Sequence, residues 1–131
     1  MTREEFIEIL DREGYSYEIE GDKLVVTWGD KHGDVDLPSL QTLPPGVEFK
    51  NRRSVYLNSL QTLPPGVEFK NDGNVDLESL ETLPPGVEFN NKGIVNLGSL
   101  TGDYFSEWSG LIKGIAPKRL LNGMIKRGIF L

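Results

Sequence analysis

Three side chains raise the first chemical question. Asp36, Tyr56 and Asp76 stand 20 residues apart in turn. If the chain stacks with that period, the two carboxylates lie two strand spacings apart, ~9.6 Å. An inverting glycosidase holds its acid and its base roughly 6.5–9.5 Å apart. The pair falls just outside that window, and three stacked coils offer almost no cleft for a sugar chain. His32 lies in Asp30-Lys31-His32-Gly33-Asp34, a polar loop, and reads as a solvated side chain rather than a general base. Ser39, Ser59, Ser79 and Ser99 also recur every 20 residues. A nucleophilic serine needs a base beside it, and none recurs with them. The chain has no Cys and one His, which removes disulfides, thiol chemistry and zinc sites built from several histidines. The residues predict no catalytic group, no metal and no cofactor, and the protein reads as non-enzymatic.

Recognition is the chemistry that remains. The unit V-x-L-x-S-L-x-T-L-P-P-G-V-E-F-x-N-x-x-x runs three times from Val35 to Ile94, and a fourth copy begins at Val95 and stops at Leu100. Residues 39–51 reappear unchanged at 59–71 and with two changes at 79–91. In Val-x-Leu and Val-x-Phe the apolar residues alternate with polar ones, the pattern of a short strand with one buried face. Pro44-Pro45, Pro64-Pro65 and Pro84-Pro85 cannot join a central ladder. Gly46, Gly66 and Gly86 open the positive-φ region. Each Pro-Pro-Gly is therefore a corner, and the polar stretch after Asn51, Asn71 or Asn91 is the other.

One unit cannot bury six apolar side chains alone, but stacked units can. The expected fold is mainly β: a short parallel β-solenoid of about three 20-residue coils, capped at both ends. The Ser39/Ser59/Ser79/Ser99 and Asn51/Asn71/Asn91 columns are expected as internal or corner ladders that satisfy backbone groups at the bends. The outward columns are then Asp36, Tyr56, Asp76 and Asn96 on one strand, and Glu48, Glu68 and Glu88 on the other. Lys50 and Lys70 lie beside the glutamates and partly offset them. Tyr56, a lone aromatic among carboxylates, is the candidate interface anchor, with Arg52 and Arg53 projecting at the next corner. The plain alternative for these columns is an ordinary solvated face.

The ends do not repeat. Thr2-Arg3-Glu4-Glu5 is a capping box, and Phe6, Ile7, Ile9 and Leu10 follow at helical spacing until Gly14. Tyr15–Glu20 and Lys23–Trp28 flank Gly21-Asp22, a hairpin signal. Residues 1–34 are expected as a helix-plus-hairpin cap, 35–100 as the solenoid, and 101–131 as a helical C-terminal cap, all in one folded domain. Leu120, Leu121, Met124 and Ile125 form the apolar stripe of that last helix. Tyr104, Phe105 and Trp108 read as core.

The 131 residues carry 14 Lys+Arg against 20 Asp+Glu, a net charge of −6. Residues 1–100 hold 18 acids and 9 bases, and residues 101–131 hold 2 acids and 5 bases. Lys118, Arg119, Lys126 and Arg127 are thus a candidate anionic contact, with a solvated helix face as the plain alternative. Direct nucleic-acid binding is not expected of so acidic a chain. No apolar run approaches the ~20 residues of a membrane span, and no signal peptide opens the chain. A cytoplasmic monomer or small homo-oligomer is the expectation.

LPPGVEFKNRRSVYLNSL and LPPGVEFNNKGIVNLGSL resemble a short leucine-rich-like repeat, LPxGVxFxNxGxVxLxSL, found in bacteriophage and prophage proteins. The likeness covers Leu43 to Leu100. It keeps the N-x-G corner at Asn71-Asp72-Gly73 and Asn91-Lys92-Gly93 and departs from it at Asn51-Arg52-Arg53. The ending KRLLNGMIKRGIFL is also similar to tails of such proteins. The resemblance implies a phage or mobile-element protein in the bacterial cytoplasm that binds a host protein and modulates or inhibits it. One version has the acidic face blocking a defence enzyme by imitating nucleic acid. The alternatives are a structural or assembly protein of a virion and a carbohydrate-active β-helix protein.

Overall fold

The computed structural model describes residues 1–82, 84 and 86–97, and the backbone of Leu120–Leu121. Helix α1 (Arg3–Glu13) begins at the expected capping box. Thr2 Oγ1 accepts from Glu5 N–H at 3.1 Å, and Glu5 Oε1 accepts from Thr2 N–H at 3.1 Å. Gly14 closes the helix in the left-handed region, at φ 77°. Strands β1 (Ser16–Glu20) and β2 (Lys23–Trp28) form the antiparallel hairpin that Gly21-Asp22 announces.

The repeats then alternate between two parallel sheets. β4 (Val47–Phe49), β6 (Glu68–Phe69) and β8 (Glu88–Phe89) stack in one, and β3 (Val35–Asp36), β5 (Val55–Tyr56), β7 (Val75–Asp76) and β9 (Val95–Asn96) in the other. The register follows the repeat: Phe49 opposite Phe69, Phe69 opposite Phe89, Val35 opposite Val55. The result is a β-solenoid of about four turns with one N-terminal helix. Gly46, Gly66 and Gly86 take φ of 80°, 84° and 86°, so the chain turns a corner at each of these glycines, as read from the sequence.

The first coil is one more than the repeat motif reveals. β2 pairs in parallel with β4, Leu24 opposite Val47 and Val26 opposite Phe49. β1 is thus the outer edge of this sheet, and β2 is the first rung of the parallel stack. Residues 23–28 match the inward apolar pattern without carrying the Pro-Pro-Gly signature, so the pairing is visible only in three dimensions.

At the far end, Leu120–Leu121 forms β10, parallel to β9, with Leu120 opposite Val95. This corrects the expectation of a helix through these two residues. An edge strand presents unpaired N–H and C=O groups, and a further rung satisfies them as a helix cannot. The rest of the expected helical cap lies outside the described residues.

The core is one column per repeat position. Val55, Leu57, Leu60, Leu63, Val67 and Phe69 are all buried, as are their counterparts in the coils on either side among the described residues. Phe49, Phe69 and Phe89 stack with ring centroids 5.3 and 5.2 Å apart and planes 6° from parallel. The strand spacing imposes that distance, and offset-stacked rings favour it. Phe6 and Leu10 of α1 are fully buried against the first coil.

Candidate functional site

The predicted contact residues fall on two outward faces and one corner. On the second sheet, Asp36, Tyr56 and Asp76 are register neighbours, with Asn96 beyond them. Asp36 is exposed; Tyr56 and Asp76 are half-buried. Asp76 Oδ1 accepts from Glu78 N–H at 3.2 Å. Burial first and the nearby Glu78 carboxylate second hold the Asp76 carboxyl above the ordinary range, against the lowering effect of that N–H. Neither Asp36 nor Asp76 has a cationic partner among the described residues. Asp36 also stands at the rim of a groove of about 480 Å³ between α1 and the first coil, lined by Ile9, Arg12, Leu37 and Leu40.

The first sheet uses its charges internally. Glu48, Glu68 and Glu88 form the expected outward column, but Glu48 is not open to a partner. Only 5% of its side chain is exposed, because Lys23 and Lys70 lie across it. Lys70 Nζ is 3.1 Å from Glu48 and 3.0 Å from Glu68; Lys23 Nζ is 3.5 Å and 3.3 Å from the same two carboxylates. Burial pushes the Glu68 carboxyl up, but hydrogen bonds from Lys70 and Lys23, with the Lys23 charge, together hold it below its ordinary value. Lys70 and Lys23 are raised, chiefly by their hydrogen bonds to Glu68. The sequence reading foresaw Lys70 offsetting the glutamates. It missed Lys23, which reaches the column only because β2 is a rung of that sheet. Glu88 forms no ion pair among the described residues.

The polar corner separates the two Ser and Asn columns. Asn51, Asn71 and Asn91 are buried, and their Nδ2 groups donate to backbone carbonyls: Asn51 to Gly33 at 2.9 Å, Asn71 to Arg53 at 3.0 Å, Asn91 to Gly73 at 3.1 Å. That column is the expected internal ladder. The serine column is not. Ser39 is exposed and Ser59 and Ser79 are half-exposed, because each sits in the turn between two buried leucines, where Leu40, Leu60 and Leu80 N–H donate back to Leu37, Leu57 and Leu77; Ser99 lies outside the described residues.

A ladder the sequence reading missed runs through Asp34, Ser54 and Asn74. Asp34 Oδ1 accepts from Ser54 N–H at 2.8 Å, Ser54 Oγ from Asn74 N–H at 3.0 Å, and Asn74 Oδ1 from Ile94 N–H at 2.9 Å. Three different acceptor residues fill one position, so identity hides the column while hydrogen-bond chemistry unites it. Ile94 ends it. The side chain has no acceptor and is 39% exposed.

Arg52 and Arg53 are exposed at this corner, as expected. His32 is likewise exposed, its N–H held by Asp30 Oδ1 at 2.9 Å. Lys118, Arg119, Lys126 and Arg127 lie outside the described residues. Among the described residues, no group of three or more His, Asp or Glu side chains is placed to hold a metal ion, and no helix is long and apolar enough to cross a membrane. Comparison with protein-family models, with curated proteins and with solved structures finds no match for this chain.

Proposed function

We propose that this is a non-enzymatic binding protein whose second-sheet face docks a bacterial host protein and modulates or inhibits it. One observation carries the choice of face. The glutamates at 48 and 68 are neutralised by Lys23 and Lys70, whereas Asp36 and Asp76 bracket Tyr56 with no cation of their own among the described residues. A tyrosine in the middle of a flat strip supplies contact area at low entropic cost, and flanking charges supply orientation. A solenoid fits this role because its outward columns vary without disturbing the core.

The resemblance of the repeat to phage and prophage proteins supports a host protein as partner. The excess of acids over the first 100 residues is compatible with occupying a basic groove that otherwise takes nucleic acid.

The test is affinity capture of the tagged full chain from bacterial lysate, beside Tyr56→Ala and Asp36→Asn/Asp76→Asn. The expected result is one stoichiometric host protein, lost with Tyr56→Ala and weakened by the aspartate pair. Recovery of the same proteins by all three, or of the chain alone, overturns the reading.

A further inference from the structure

Residues 59–71 repeat 39–51 without a single change, yet 52–58 differ sharply from 72–78. Arg52 stands where the next coil has Asp72, Arg53 for Gly73, Ser54 for Asn74, Tyr56 for Asp76 and Asn58 for Glu78. One half-coil has lost three carboxylates and gained two guanidiniums and a phenol. Its formal charge goes from −3 (Asp72, Asp76, Glu78) to +2 (Arg52, Arg53).

The fold does not call for this change. A methyl group on Gly73 would stand 2.7 Å from the Arg53 carbonyl carbon, and one on Gly93 2.8 Å from that of Gly73, so glycine suits this corner where coils approach closely. Arg53 occupies it nonetheless, donating its backbone N–H to Gly33 O at 3.2 Å. Arg52 lies against the preceding coil, where a methyl group on Gly33 would be 3.0 Å from Arg52 Cβ. Both arginines therefore pack their backbone and Cβ ends against Gly33, the residue that follows Lys31-His32. Neither arginine has a carboxylate partner among the described residues. Clustered like charges repel, and a local rule broken without structural gain is the mark of a functional position. Asn58, in the same half-coil, buries Oδ1 with no hydrogen-bond partner.

From this local charge reversal we infer that residues 52–58 bind an acidic peptide segment of the partner protein. Arg52 and Arg53 take its carboxylates, an interaction suited to the planar guanidinium fork. Tyr56 covers the apolar part of the segment. A short acidic segment fits better than a nucleic acid, because Asp34, Asp36, Asp72 and Asp76 surround the patch and repel a long polyanion. This inference rests on the second-sheet face being the docking face and deepens it: the acidic segment meets the arginine corner, while Asp36 and Asp76 orient a basic surface of the same partner beside it.

The test is an amide-resolved NMR titration of the full chain at low salt with a capped Glu-Glu-Leu-Glu-Glu-Leu peptide. A Lys-Lys-Leu-Lys-Lys-Leu peptide and a single-stranded oligothymidylate are run beside it. Saturable shifts confined to 31–34 and 50–58 are expected from the acidic peptide alone. Arg52→Asp/Arg53→Gly installs residues that the next coil already accommodates, so folding is retained and checked by the melting midpoint. It should weaken the acidic peptide about tenfold or more. Absent or unsaturable shifts, equal binding by that variant, or tighter saturation of these residues by oligothymidylate overturns the inference. If the peptide fails while Tyr56→Ala still loses its host protein, only the acidic-segment inference falls. If Tyr56→Ala retains that protein while the peptide still binds at the arginines, the docking-face reading falls instead.

Discussion

The Tyr15 hydroxyl acts as a rung of the second sheet. It donates to the Asp36 carbonyl at 3.1 Å and accepts from the Asp36 N–H at 3.3 Å. β3 is the N-terminal edge of that sheet, and one phenol satisfies both backbone groups there that a neighbouring strand would otherwise take.

Tyr15→Phe keeps the ring in the core and strips this edge. Leaving two partly buried backbone groups without their partner should cost about 1–3 kcal/mol. Denaturant unfolding followed by circular dichroism measures it. An unchanged midpoint would show that water replaces the hydroxyl at no cost.

The same residue predicts alkaline sensitivity. Burial first, then the Glu13, Asp30 and Asp36 carboxylates, hold the Tyr15 hydroxyl above its ordinary value, outweighing the Asp36 backbone hydrogen bond. A proton held more tightly in the folded state stabilises the fold below the unfolded value of about 10. That contribution is lost as pH rises through the folded value. Melting midpoints should fall above pH ~10, and less steeply in Tyr15→Phe. Tyr17, raised by burial and Asp11, and Lys23 and Lys70, raised chiefly by their hydrogen bonds to Glu68, add to the remaining slope.

The charge network on the first sheet predicts the opposite flank. The Glu68 carboxyl is held below its ordinary value, so its contribution is present above the unfolded carboxylate range and lost as pH falls through the depressed folded value. Lys70→Met removes the shorter contact to each glutamate and leaves Glu48 covered beside Lys23 alone. The cost should be about 1–2 kcal/mol near neutral pH, with the exposure of the lysine keeping it below that of a fully buried pair. It should shrink in acid, as Glu68 takes up its proton. A constant difference from pH 7 to pH 3 would sink the network account.

Phe69 is the middle ring of the stack and fully buried. Phe69→Ala should cost about 3–5 kcal/mol. Phe69→Leu, which keeps most of the volume, should retain a cooperative transition in thermal unfolding. Equal losses in the two variants would mean that the column relaxes around either gap.

Two serines in different columns give a paired prediction. Ser54 is buried and caps the Asn74 N–H, so Ser54→Ala should cost about 1–3 kcal/mol. Ser39 is exposed, and Ser39→Ala should stay within about 0.5 kcal/mol of the parent. Chemical denaturation of the two variants in parallel decides it, and the reverse order would contradict the ladder.

The sequence by itself determined the local elements and the architecture. Thr2 and Glu5 specify the helix start, Gly14 its end, and Gly21-Asp22 the hairpin, because each signal acts within a few residues. The 20-residue recurrence of Val-x-Leu and Val-x-Phe specifies stacked coils, since no single coil buries its own apolar residues. The inward columns followed from period two.

The tertiary structure decided what depends on which coil lies next to which. β2 became a rung although it lacks the Pro-Pro-Gly corner, and so brought Lys23 over Glu48. Glu48, outward by alternation, was thereby covered. Asp34, Ser54 and Asn74 became one ladder despite differing in identity, while the uniform serine column stayed at the surface. Leu120–Leu121 joined the edge of β9 although its spacing suits a helix. Apart from the serine column, which a local turn leaves outside, each of these outcomes rests on hydrogen bonds or ion pairs between residues far apart in the chain, and spacing along one coil does not encode its neighbour across the stack.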